Sequence, residues 1–242
     1  MGEDRCEVVL YTPEHDLPFW RLGLPGALKV IDLWAERTRA LGARPDVDYV
    51  LIFENRGEMA GATVHHPHGQ IYGYKDIPPA PLRELVNGFL TLPEPVAALD
   101  ICAHRDWKAA VPDAAAWPYE ILIASESGPG QICDPDLDAE ALATVLLDAL
   151  ARLDQLFDRA MPYMLWIHQM PFGKERFEQL PVHIHIAPLL RASQTQRFVG
   201  AAEVGGGLYF NPVSPMDAAQ HLGDLPGWDP DHHHMPRDAS GA

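Results

Sequence analysis

Histidines concentrate the chemistry of this sequence. The chain holds twelve of them, and they cluster. His66-Pro67-His68-Gly69-Gln70 is the first group. In an extended strand over 64–74, alternate side chains share a face, so His66, His68 and Gln70 project together. Pro67 has no N–H and suits an edge or bulge where a ligand can approach. Gly69 removes a side chain where a backbone must come close to a substrate. A neutral imidazole titrates near pH 7 and is a competent nucleophile toward a phosphoryl group, and the resulting phosphoramidate can pass that group to a second acceptor. An amide such as Gln70 can hydrogen-bond the non-bridging oxygens as charge develops. The competing reading is two half-buried strand histidines without chemistry; the Pro, Gly and Gln within the pattern weigh against it.

His183-Ile184-His185 repeats the period of two. His168 ends the preceding strand-like segment, and Glu84 follows the first motif. Three histidines and a carboxylate make a chemically sensible site for zinc or ferrous iron. On spacing alone, this metal reading and ordinary polar surface stand level. Lys174, Arg176, Arg191 and Arg197 flank the second pair in a chain short of positive charge, and arginine can grip phosphate with two hydrogen bonds; solvated surface is the competing reading for each. His232-His233-His234, in a tail rich in Pro and Asp, reads as a solvated flexible segment that could chelate metal adventitiously.

The elements that must position these residues follow from periodicity. Residues 7–12 read as a strand. Residues 25–42 carry Leu28, Ile31, Leu33, Trp34 and Leu41 at near-helical spacing, with Gly42 as a stop. Residues 49–53 form a continuous apolar run, a buried strand, and 54–61 a polar loop. After the strand at 64–74, residues 76–81 break the pattern and 82–92 form a short helix. The pattern then restarts. Strands are expected at 100–111 and 119–124, an amphipathic helix at 137–158, and strands at 162–168 and 181–187. Strand, helix and histidine-bearing strand thus occur twice, which divides the chain into 1–92, 93–213 and a loosely ordered tail at 214–242.

Composition narrows the function. Hydrophobic residues make up 47% and charged residues 21% of the 242, as in soluble globular proteins. No apolar run is long enough to span a bilayer, and MGEDRCEVVL lacks the form of a signal peptide. Cys6, Cys102 and Cys133 are too few and too scattered for a disulfide framework, which points to a reduced cytoplasm. A net charge of −16 argues against nucleic acid as a partner and requires any phosphate site to be built locally.

Taken together, the motifs resemble a known family. Phe53-Glu54-Asn55-Arg56-Gly57 followed by His66-Pro67-His68-Gly69-Gln70 resembles the active-site signature of the galactose-1-phosphate uridylyltransferases. The resemblance continues through Trp117-Pro118-Tyr119-Glu120, Trp166-Ile167-His168, Pro171-Phe172 and His183-Ile184-His185 to Leu189-Leu190-Arg191, in the family's order.

The resemblance implies an α+β fold: a duplicated histidine-triad-like architecture of antiparallel sheets flanked by helices, its first half truncated. It implies a ping-pong reaction in which UDP-glucose gives UMP to a histidine and galactose-1-phosphate collects it. His68 matches the nucleophile and Gln70 the residue that holds the transferred phosphoryl group. Asn55 matches a residue near the substrate phosphates, and Thr63 stands where the family has serine. His15 and His66 match two zinc ligands. Glu84, His168, His183 and His185 match a second, mainly structural site for iron or zinc. Arg197 and Phe198 match residues that reach the partner's active site in a homodimer, although the aromatic residue expected beyond them is Ala202 here. The family's Cys-x-x-Cys pair, which completes its zinc site, occurs nowhere in this sequence; it lies in a longer N-terminal stretch that also holds much of the uridine pocket. That leaves open a separate N-terminal polypeptide as partner. Two other functions stand beside transfer: nucleoside phosphate hydrolysis or phosphorolysis, against which Gln70 speaks because related hydrolases commonly have histidine there, and a non-catalytic half-protein.

Overall fold

The computed structural model describes residues 5–87, 99–157, 159–173, 177 and 180–230. Strand β1 (Cys6–Leu10) leads to helix α1 (Gly23–Gly42), the hairpin β2 (Tyr49–Arg56) and β3 (His68–Tyr74), and helix α2 (Pro79–Asn87). The second half contains β4 (Asp100–His104), β5 (Trp107–Ala110), β6 (Ile121–Ser125), α3 (Ala139–Gln155), β7 (Tyr163–His168) and β8 (His183–Pro188). These strands form one eight-stranded sheet in the order β1-β3-β2-β7-β8-β6-β5-β4, antiparallel at every pairing.

The order contains a repeat. A strand, a helix and a two-stranded hairpin give β1-β3-β2 in the first half and β6-β8-β7 in the second, and the units join at β2–β7. Inward residues alternate along each strand, as one covered face requires. Val50 and Ile52 of β2, Ile71 of β3, Leu165 and Ile167 of β7 and Ile184 and Ile186 of β8 are buried in one cluster with Val30, Ile31 and Trp34 of α1 and Leu142, Leu146 and Leu150 of α3. Asp138 caps α3 by accepting a hydrogen bond from Ala141 N at 3.0 Å. Both helices thus lie on one face, and the other face is left for the polar residues. No helix among the described residues is long and apolar enough to cross a membrane.

Four expectations from the sequence need correction. The expected loop at 54–61 starts late, because β2 runs on to Arg56. The expected strand at 64–74 begins only at His68. Residues 100–111 form a hairpin, turning at Arg105 with φ of 52°. Within the expected loose tail, beyond the short helix α4 (Ala201–Gly206), Ser214 caps helix α5 (Pro215–Gly223), which buries Ala218, Ala219 and Leu222. Arg152 of α3 secures it by donating to the carbonyls of Leu222, Gly223 and Leu225 at 2.9, 2.9 and 2.7 Å. An apolar stripe of nine residues between prolines is weak in sequence; its burial against α3 supplies the stability that propensity lacks.

Candidate active site and metal centre

His68, Gln70, Tyr72 and Tyr74 line the exposed face of β3, while Gly69, Ile71 and Gly73 face the helices. The His68 ring is fixed at one nitrogen, since Nδ1 lies 2.8 Å from the His66 carbonyl oxygen. A carbonyl only accepts, so Nδ1 carries a proton, and in the neutral ring Nε2 keeps the lone pair. That is the protonation state a nucleophile needs. His68, His66, Asn55, Gly57 and Phe19 line one groove where β2 ends and β3 begins. Thr63 is exposed in the loop between Ala62 and Val64, which both line that groove.

A buried polar layer, missed by the sequence reading, lies behind this strand. A Cβ on Gly69 would land on the Tyr11 hydroxyl, and Tyr11 N donates to Pro67 O at 3.2 Å. Tyr11 packs edge-on to Phe19 and Trp34. Glu54 projects from β2 into the same layer and accepts from the Tyr163 hydroxyl at 2.9 Å. Burial pushes Glu54 up to about 7, against the pull of Tyr163 and Arg56. Arg56 makes a two-pronged bond to Asp154 at 2.6 and 2.9 Å. The only sequence sign of this layer was polar Glu54 and Arg56 continuing the alternation of β2.

Helix α2 packs on the exposed sheet face through Leu85 and Leu82, against Tyr49, Leu51, Tyr74 and Ile77. This carries Glu84 to three histidines. Glu84 Oε2 lies 2.7 Å from His168 Nδ1 and 3.3 Å from His183 Nε2, and Oε1 lies 3.7 Å from His185 Nε2. The candidate ligand atoms all fall within 4.8 Å of one another. His185 Nε2 is buried without a hydrogen-bond partner, and His185 stacks on Trp166 at 5.1 Å and 10°. Burial lowers the pKa values of His168 and His185. Burial opposes ionisation of Glu84, but the His168 and His183 rings beside it hold its carboxyl well below the usual carboxylate range. His168 and His185, which burial favours in the neutral form, stand with His183 around an ionised carboxylate, the donor set a divalent cation requires, so these residues fit a metal. Sheet register places the cluster away from His68. Gln70, Phe53, Trp166 and His185 are successive register partners across four strands, which at the usual strand spacing separates Gln70 from His185 by roughly 14 Å.

Comparison with known proteins shows the family. The profile of the galactose-1-phosphate uridyl transferase N-terminal domain matches residues 3–78, and that of the C-terminal domain residues 84–211. A galactose-1-phosphate uridylyltransferase of Thermotoga maritima is 30% identical over 232 residues, 90% of this chain and 73% of that protein. The chain belongs to the galactose-1-phosphate uridylyltransferase family. A solved uridylyltransferase mutant superposes with a TM-score of 0.81 at 27% identity, covering 90% of this chain and 74% of the other. An ADP-glucose phosphorylase from Arabidopsis thaliana, solved with ADP-glucose, shares the fold with a TM-score of 0.80 at 22% identity, covering 91% and 73%.

Against the expectation from strand periodicity, His66 lies before β3 rather than on its face. Pro67 has no N–H for the ladder, and the His66 ring turns instead toward residues 12–15. Its Nε2 is 2.6 Å from Thr12 O and its Nδ1 3.3 Å from His15 Nδ1. Two nitrogens on one tetrahedral zinc stand about 3.3 Å apart, so this pair fits two zinc positions. Among the described residues no third histidine, cysteine or carboxylate completes a cluster there.

Arg197, expected at a substrate site, is held within its own chain. Its guanidinium is committed to Glu203, buried on both sides of the pair, and lies 4.8 Å from the Trp117 ring centroid. Phe198 beside it is 75% exposed. Arg191 is exposed on a short strand, and Lys174, Arg176 and His232-His233-His234 lie outside the described residues.

Proposed function

We propose that this chain is a nucleotidyltransferase of galactose metabolism that moves UMP from UDP-glucose to galactose-1-phosphate through His68. The observation that carries the reading is the tautomer of His68, with Nδ1 bound to the His66 carbonyl at 2.8 Å and Nε2 left for the substrate. In the first half-reaction Nε2 attacks the α-phosphorus of UDP-glucose. An N–P bond forms, the P–O bond to the β-phosphate breaks, and glucose-1-phosphate leaves. In the second, a phosphate oxygen of galactose-1-phosphate attacks the same phosphorus, the N–P bond breaks, UDP-galactose departs and the imidazole is restored. Gln70 donates to the non-bridging oxygens during both displacements, and Asn55 contacts the phosphates in the same groove. Thr63 supplies a hydroxyl at the groove's rim.

Glu84, His168, His183 and His185 would hold one zinc or iron ion, and His15 and His66 would contribute to a zinc site. Such an ion would tie α2 to β7 and β8 and add folding energy there. The exposed apolar residues Phe198, Val204, Leu208 and Phe210 suit a second copy of the chain, as in a homodimer. A division at residues 92/93 and a cytoplasmic location complete the reading.

Intact-protein mass spectrometry after mixing with UDP-glucose tests it. The protein should gain one UMP, lose it on addition of galactose-1-phosphate with release of UDP-galactose, and gain nothing as His68→Ala. A label that persists in His68→Ala, or an unlabelled native chain, rejects the mechanism. Discharge by water or inorganic phosphate in preference to sugar phosphate would assign hydrolysis or phosphorolysis instead.

A further inference from the structure

The Gln70 amide is anchored by a neighbour on its own strand. Tyr72, two residues along β3 on the same face, donates its hydroxyl to Gln70 Oε1 at 3.0 Å. The Tyr72 ring is itself held. It meets Phe53 of β2 edge-on, with centroids 4.9 Å apart and an interplanar angle of 88°, and lies 6.3 Å from Tyr74. Phe53 is also the cross-strand partner of Gln70, so phenol, amide and phenylalanine form one packed unit beside His68.

A side-chain amide has an acceptor end and a donor end, and rotating it by half a turn exchanges them. With Oε1 engaged by the Tyr72 O–H, the NH2 group is the end left for a ligand, and among the described residues Nε2 has no protein partner. The difference matters for an anion. An NH2 group stabilises phosphoryl oxygens, whereas the rotated amide would present its own carbonyl oxygen to them.

We infer that Tyr72 is a positioning residue for the proposed transfer, acting through Gln70 by fixing the amide with its donors toward the phosphoryl group bound at His68. The inference rests on the uridylyl-histidine reading above. Tyr72 does not touch the reacting atoms. It anchors the Gln70 Oε1 before substrate arrives, so the amide has less reorganising to do as charge develops.

Single-turnover labelling of His68 by UDP-glucose in the native chain, Tyr72→Phe, Gln70→Ala and the double variant tests this. Tyr72→Phe keeps the ring against Phe53 and deletes only the hydroxyl. It should slow labelling at saturating UDP-glucose by about three- to tenfold, the range one neutral hydrogen bond is worth. The half-saturating concentration and melting temperature should stay close to native. In the Gln70→Ala background the same change should have no further effect, because the group it acts through is gone. A native labelling rate in Tyr72→Phe overturns the inference, and so does an equal slowing in both backgrounds. A native chain that takes no label removes the transfer reading and this inference with it.

Discussion

His68 and His183 occupy the same place in the two repeats: each is the first residue of the second hairpin strand, and each has its Nδ1 2.8 Å from the carbonyl oxygen two residues earlier, His66 in one case and Pro181 in the other. Both rings therefore carry the proton on Nδ1 and present Nε2. The surroundings separate their uses. His183 Nε2 meets Glu84, brought over the sheet by α2, in a cluster with two more imidazoles. His68 opens onto the groove at the end of β2. One backbone device thus serves a candidate metal ligand in one half and a candidate nucleophile in the other.

The cluster predicts a metal-dependent stability. His183→Ala with His185→Ala, in a chain lacking 232–234, should contain one divalent ion fewer by elemental analysis. A site held at a hundredfold excess over its dissociation constant contributes about 2.7 kcal/mol, so the melting temperature should fall by roughly 5–10 °C. Unchanged metal content would exclude the cluster as a binding site. A chelator should produce the same shift in the native chain and none in the variant.

Glu54 predicts a pH-dependent stability. Burial raises its pKa from the model-peptide value of 4.5 to about 7 in the folded chain. The folded state therefore holds the proton more tightly than the unfolded state between these values. The contribution is most favourable below pH 4.5, falls as pH rises through 7 and is level above. The total loss is roughly 3 kcal/mol. Glu54→Gln keeps an acceptor for the Tyr163 hydroxyl and carries no charge. It should be more stable than native at pH 8 and lose that advantage near pH 5, by urea denaturation. A constant difference across this range would show that Glu54 does not titrate there.

Gly69 predicts a steric requirement. A methyl group at this position meets the Tyr11 hydroxyl and comes within 3.3 Å of the Phe53 carbonyl oxygen. Gly69→Ala should cost roughly 1–3 kcal/mol, as overpacking does, and should slow uridylyl labelling because His68 and Gln70 flank the displaced residue. Native stability in this variant would mean that Tyr11 swings aside freely.

Much of this molecule was legible in its sequence. The period of two in His66-Pro67-His68-Gly69-Gln70 and His183-Ile184-His185, the run Tyr49 to Phe53 and the amphipathic helix around 139–155 all signal which side chains share a face, because strand and helix geometry is local. The ordered motifs identified the family, since residue order is a property of sequence alone. Where each motif ends was not legible. Pro67 breaks the ladder and sends His66 to His15 rather than onto the sheet. α5 is held by Arg152, some seventy residues away.

Tertiary structure alone decided the rest. Glu84 becomes a neighbour of His168, His183 and His185 only because α2 seats Leu85 on the sheet. Arg197 reads as a surface cation yet is buried on Glu203. Tyr11, Glu54 and Tyr163 come from β2, β7 and the segment after β1, and no spacing in the chain announces that they meet. Periodicity tells which way a side chain points relative to its own strand; which group faces it, and therefore its charge, its partner and its chemistry, depends on strand order, and strand order is set by the burial of residues far apart in the chain.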